Sequence, residues 1–200
     1  INGYLISVLG LAMLIPAAVD MLETGRNWSL FVTSSIVSLF IGLSLFLGNR
    51  TKIEKITLQQ GYLLTAVSWV SLTLLATLPF ILSDVTPGFA DALFEAMSGL
   101  STTGATVITD LEVLPDSILL WRSMLNGLGG VGIVIFAVAL LPFLGIGGMQ
   151  IFQRENSDLN DKFMPKFNYI AKRIMAVYFI LVALCAGSVS YTHLRAHETG

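Results

Sequence analysis

The stretch MSGLSTTGATVITD, residues 97–110, lies between long apolar runs and interrupts them with hydroxyls grouped around one glycine. Just before and into it, TPGFADALFEAMSGL, residues 86–100, reads as a helix. Thr86 is placed to cap it, Pro87 suits the first helical position, and Phe89, Leu93, Phe94, Met97 and Leu100 follow one stripe. From 87 to 99 such a helix rises about 20 Å, against a bilayer core of about 30 Å. It is too short to span and too apolar for water, so it fits a half-helix that enters the membrane from outside and stops near mid-depth. STTGATV, residues 101–107, contains β-branched residues that do not prolong a helix. An extended backbone there returns toward the outside at about 3.3 Å per residue. Irregular backbone at this depth survives only inside protein or along a water-filled path. Its carbonyls can replace the hydration shell of a monovalent cation. Gly104 would adopt the dihedral that aims them inward, and the helix C-terminus ahead of it carries partial negative charge.

The rest of the chain agrees that lipid is the solvent. Only 12% of its 200 residues are charged, against about 25% in an ordinary soluble protein. Apolar runs of membrane length cover 3–22, 28–47, 61–83, 117–144 and 169–187. The predicted fold class is therefore an all-α polytopic membrane protein. The net charge of −2 gives no reason to expect nucleic acid. The single cysteine, Cys185, excludes an internal disulfide framework and reads as a packing residue. Pro16 is expected to kink the first span. Asp20, near the end of that span, is expected to reach the interface, and Trp28, Tyr62, Trp69 and Trp121 suit interfacial or packing roles.

Positive charge sets the orientation. Arg50, Lys52 and Lys55 follow the second span, and Arg154, Lys162, Lys166, Lys172 and Arg173 gather between the fourth and the start of the fifth. Both segments are expected in the cytoplasm, with a cytoplasmic N-terminus and a hairpin of spans one and two. Residues 83–117 then have both ends outside. They contain Asp84, Asp91, Glu95, Asp110, Glu112 and Asp116 and no Lys or Arg, a balance that concentrates cations at a concave surface and equally suits a solvated loop. Arg122, the only cation of the fourth span, either snorkels to the headgroups or pairs with an acid such as Glu95 and braces the loop; the sequence leaves both open.

FEAMSGLSTTGATVI (94–108), SILLWRSMLNGLGGVGI (117–133) and LPFLGIGGMQIF (141–152) resemble the Trk-type potassium uptake proteins of the Trk/Ktr/HKT cation transporter superfamily. The resemblance implies K⁺-channel-like membrane–pore–membrane repeats, each with a re-entrant pore helix and a filter loop, after a two-helix N-terminal hairpin. It divides this chain into the hairpin (1–50), a first complete unit (51–144), a cytoplasmic linker (145–168) and the first helix of a second, truncated unit (169–187). It puts a filter segment at Ser101, Thr102, Thr103, Gly104 and Ala105, with K⁺ held by carbonyls of Thr102 and Thr103. It further implies no cofactor beyond the transported K⁺, a homodimer, a cytosolic nucleotide-binding regulatory subunit and a bacterial inner-membrane location. Gly127 departs from the pattern, since family members commonly carry a bulky aromatic there.

Two motifs are set aside. GLGGVG, residues 127–132, has dinucleotide-fingerprint letters, but it lies within a span rather than after a strand, and reads as close helix packing. VSYTHLRAHET, residues 189–199, carries His193 and His197 at metal-ligand spacing, yet it looks like a sequencing-library adapter translated in frame, so 188–200 is excluded as an artefact and the natural protein is expected to continue beyond 187. Two rival functions stand beside ion conduction. An intramembrane enzyme using Asp91 or Glu95 needs a second polar catalytic group, and the spans offer none. A non-conducting auxiliary subunit has no need of the half-helix and glycine turn.

Overall fold

A computed structural model of the protein describes residues 1–23, 25–48, 58–109, 111–140, 169 and 172–189. The described residues are helical apart from short connections. They fall into two units, Ile1–Gly130 and Val131–Gly200. Among the described residues, five stretches are long and apolar enough to cross a membrane: Asn2–Glu23, Trp28–Gly48, Gln59–Leu82, Asp116–Val134 and Lys172–Val189, the shortest 18 and the longest 24 residues. At 1.5 Å per residue these rise about 27–36 Å, which matches the hydrocarbon thickness.

The first stretch is two helices, α1 (Asn2–Ala12) and α2 (Leu14–Glu23), separated at Met13. The break is three residues before Pro16, whose ring nitrogen cannot donate to the carbonyl of Ala12. The interruption of the helix falls where Pro16 acts, with Met13 still in a right-handed helical conformation. α3 (Trp28–Gly48) returns beside α1. Its buried side is Phe31, Ser34, Ser35, Ser38 and Gly42, a stripe of mostly small residues that lets two backbones approach closely. A Cβ at Gly3 would lie 2.7 Å from the Gly42 carbonyl oxygen, and the Ser35 hydroxyl crosses to the Gly10 carbonyl at 2.7 Å.

The third stretch is also broken, into α4 (Leu58–Ala76) and α5 (Leu78–Leu82) around Thr77. Pro79 again withholds a donor. The Phe80 N–H turns to Thr77 at 3.1 Å, which leaves the Ala76 carbonyl to another partner. That partner is the Trp121 indole N–H, at 3.2 Å. Trp121 is fully buried and meets Phe31 edge-on, with ring centroids 6.4 Å apart. These rings, with Met13, Phe80, Ile118 and Leu125, form the core that joins the N-terminal hairpin to the later helices.

α6 (Phe89–Leu100) is short and packs on α4 and α5. It starts two residues later than the sequence suggests. Gly88 occupies the cap position with no side-chain hydrogen bond, and the Thr86 hydroxyl, expected as the cap, is buried without a partner. The backbone at Gly88 is extended (φ −164°, ψ 172°), so the chain turns into the helix only after Pro87. A single 3₁₀ turn, Leu111–Val113, leads to α7 (Asp116–Leu140).

Asp20 does not reach an interface. It is buried, its Oδ2 accepts the Asn27 N–H at 2.7 Å just before α3, and its Oδ1 accepts the Ser117 hydroxyl at 3.1 Å in the first turn of α7. A carboxylate at two helix N-termini is held by both dipoles. In the second unit, α8 (Lys172–Val189) carries Cys185 on an exposed position rather than in a packed one. The linker 145–168, the motif at 141–152, both histidines and all of the 188–200 tail beyond Val189 lie outside the described residues.

Candidate functional site

α6 ends in a specific way. The Thr102 N–H returns to the Gly99 carbonyl at 2.9 Å and the Thr103 N–H to the Ser98 carbonyl at 3.0 Å. This pair of bonds is a Schellman termination, which requires a left-handed residue after the cap. Glycine is the usual occupant; here it is Thr102, at φ 58°. A β-branched side chain in that region is a true outlier, costing about 1–2 kcal/mol. Strain of this kind persists only where surrounding contacts impose it. Gly104 is left-handed as well, at φ 74°, and a Cβ there would meet nothing within 4 Å. Its requirement for glycine is conformational, as the sequence suggests, and not one of space.

The direction of the peptide groups follows from these bonds. A trans peptide points its N–H and C=O oppositely, and the described residues contain no cis bond. The N–H groups of Thr102, Thr103 and Gly104 all turn back to the helix end, the last reaching Ser98 O at 3.3 Å. The carbonyls of Ser101, Thr102 and Thr103 therefore point away from α6. Residues 102–107 are exposed while Ser98, Gly99 and Leu100 behind them are buried. The Ser101 and Thr103 hydroxyls lie 2.8 Å apart. Ala105 is oriented the other way: its carbonyl accepts the Ser98 hydroxyl at 2.6 Å, on the helix side.

Glu95 holds the outgoing strand of the turn. Its Oε1 accepts the Thr106 hydroxyl at 2.5 Å and the Val107 N–H at 2.7 Å. Its Oε2 lies 2.9 Å from Arg122 Nε on α7, an ion pair rather than an aligned hydrogen bond. The carboxylate side chain is fully buried and the arginine is 17% exposed. Of the two possibilities for Arg122, the structure has the pairing with Glu95. Glu95 is consequently not among the surface acids of 83–117; Asp84 and Asp116 are exposed, Asp91 is partly so, and Asp110 and the Glu112 side chain lie outside the described residues.

Two glycines bring α7 against the end of α6. A Cβ at Gly99 would sit 2.8 Å from Leu125 Cβ, and one at Gly129 would fall inside the Leu100 carbonyl oxygen. Gly129 thus performs the packing expected of the glycine run. Gly127 does not: nothing lies within 4 Å of a Cβ placed there. Sequence reading reached the segment 101–105 and the pair Glu95 and Arg122, but missed Ser98, Thr106 and Asp20. For Asp20 the available signal was the cost of a carboxylate inside an apolar run, which demands partners.

A family model described as TrkH, cation transport protein, matches residues 29–194. The chain belongs to the TrkH family. It is 38% identical over 189 residues to a Trk system potassium uptake protein TrkH of Halomonas elongata, covering 93% of this chain and 39% of that one. It is 36% identical over 202 residues to the TrkH of Escherichia coli K12, covering 99% and 42%. Its fold matches a crystal structure of the potassium transporter TrkH from Vibrio parahaemolyticus with a TM-score of 0.74 at 36% identity, over 88% of this chain and 35% of the other. The chain spans about two fifths of the length of the curated relatives it matches. The family is one of cation transport proteins, not of enzymes, so neither Asp91 nor Glu95 is assigned a catalytic role.

Proposed function

We propose that the chain forms part of a Trk-type K⁺ uptake protein, and that residues 101–105 supply one face of the ion path. α6 is the re-entrant pore helix, the segment after it is the filter loop, and α4 to α7 make one membrane–pore–membrane unit behind the α1–α3 hairpin. One observation carries the proposal: three successive N–H groups turn back to the end of α6, so successive carbonyls share the opposite, exposed side. Oxygens arranged in this way replace water around a dehydrated monovalent cation. The partial negative charge of the α6 C-terminus favours the same ion. Thr102 and Thr103 are the principal donors of carbonyl oxygen. Ser101 adds a third, and Ala105 belongs to the segment with its carbonyl held toward the helix.

The family relatives named above are potassium uptake proteins, which supports K⁺ as the ion. The Lys and Arg distribution supports a cytoplasmic N-terminus in a bacterial inner membrane, with residues 145–168 on the side that a cytosolic nucleotide-binding regulatory subunit would meet. A homodimer completes the reading. The test is Gly104→Val in the native gene product, expressed in a bacterium lacking its own K⁺ uptake. A side chain at φ 74° costs about 1–2 kcal/mol and turns the carbonyls. Lost or unselective K⁺ uptake with normal membrane insertion is expected. Unaltered uptake and selectivity would refute the filter, and absence of uptake by the unsubstituted gene product would favour a non-conducting auxiliary subunit.

A further inference from the structure

Three peptide groups of the segment, 102–103, 103–104 and 105–106, are held by one residue at the end of α6. Ser98 is buried in the last turn of α6. Its carbonyl accepts the N–H groups of Thr103 and Gly104, at 3.0 and 3.3 Å. Its hydroxyl donates to the Ala105 carbonyl at 2.6 Å. The first two bonds push the Thr102 and Thr103 carbonyls outward, and the third draws the Ala105 carbonyl inward. A side-chain substitution leaves the Ser98 carbonyl in place, but a single such change removes the hydroxyl.

We infer that Ser98 is a specificity-determining positioning residue: its hydroxyl fixes where the run of outward carbonyls stops. The inference rests on the reading of 101–105 as an ion-coordinating segment. Without the hydroxyl, the Ala105 carbonyl loses its donor. The peptide between Ala105 and Thr106 is then free to turn about Ala105 ψ and Thr106 φ, and that turn presents a further oxygen on the ion side. The number and field strength of the coordinating carbonyls are one determinant of the preference between K⁺ and the smaller Na⁺. Ser98 touches no ion in this scheme; it acts through the Ala105 carbonyl.

The experiment measures Na⁺ competition against Rb⁺ uptake by the native gene product in cells lacking other K⁺ uptake systems. Loss of one neutral hydrogen bond corresponds at most to a shift of about two- to thirteenfold in ion preference. Ser98→Ala is expected to lower Rb⁺-over-Na⁺ discrimination by up to that factor, and Ser98→Thr, which keeps the hydroxyl, to restore it. A merely structural role would lower the amount of protein in the membrane and leave the ion ratio alone. Should Ser98→Ala fail to accumulate, Ser98→Cys, a weaker donor, is read in its place and is expected to give a smaller shift of the same sign. An unchanged ratio in the accumulating variant overturns the inference, as does a shift in Ser98→Thr equal to that of alanine. If Gly104→Val alters the ratio and Ser98→Ala does not, this inference fails alone; if neither alters it, the reading of the segment fails with it.

Discussion

Replacing Glu95 by glutamine probes the turn with nearly no change of shape. The carboxylate now binds Thr106 and Val107 through Oε1 and faces Arg122 through Oε2. Hydrogen bonds to a charged acceptor contribute about 1.5–3 kcal/mol each, and neutral ones about 0.5–1.5, so the two at Oε1 together weaken by about 2 kcal/mol. The amide also places either its NH₂ group or an uncharged oxygen against a mostly buried guanidinium. Removing one partner of a buried ion pair costs about 3–5 kcal/mol when the other charge remains, a figure that includes such lost bonds. The expected loss is therefore about 3–5 kcal/mol overall. In a detergent-solubilised sample this lowers the melting midpoint by about 10 °C, and it loosens the return strand of the segment. The partner change, Arg122→Met, should be less harmful in the Glu95→Gln background than in the wild type, with a coupling of about 1–3 kcal/mol. A melting point within about 2 °C of wild type, or strictly additive effects, would refute the argument that Glu95 joins α6, the turn and α7 into one braced unit.

Other outcomes follow from the same geometry. Gly129→Ala should disrupt the seating of α7 on the end of α6 and cost about 1–3 kcal/mol by overpacking, whereas Gly127→Ala, in open space within the same helix, should stabilise by about 0.5–1 kcal/mol; thermal melts of the two side by side check the contrast. Asp20→Ala leaves the Asn27 N–H and Ser117 hydroxyl without their acceptor and should cost about 2–4 kcal/mol, seen as earlier protease cleavage between α2 and α3.

The fold was legible where a single physical demand acts along the chain. Lengths of apolar sequence gave the spans because lipid leaves no alternative, and Pro16 marked its break because a missing N–H is a local fact. The left-handed Gly104 was legible for the same reason. Contacts between elements were not. Helical spacing places Glu95 on a face of α6 but gives no distance to Arg122, so pairing and snorkelling stayed equally open until α7 was in place. Ser98 gave no signal at all, since a hydroxyl reaching a carbonyl seven residues on, across a strained turn, has no periodic signature. Thr86 misled because a good capping residue beside a proline predicts a start that the extended Gly88 then delays.

The indole of Trp121 bears on how the chain is assembled during synthesis. The carbonyl it satisfies belongs to a residue made 45 positions earlier, which at ribosomal speeds of about 5–20 residues per second is an interval of about 2–9 s. Throughout that interval the broken α4–α5 segment holds an oxygen with no protein donor, and hydrocarbon cannot supply one. The segment is thus obliged to wait near water, at the translocon or the headgroup layer, until the later helix arrives, and the two settle into the bilayer as a pair.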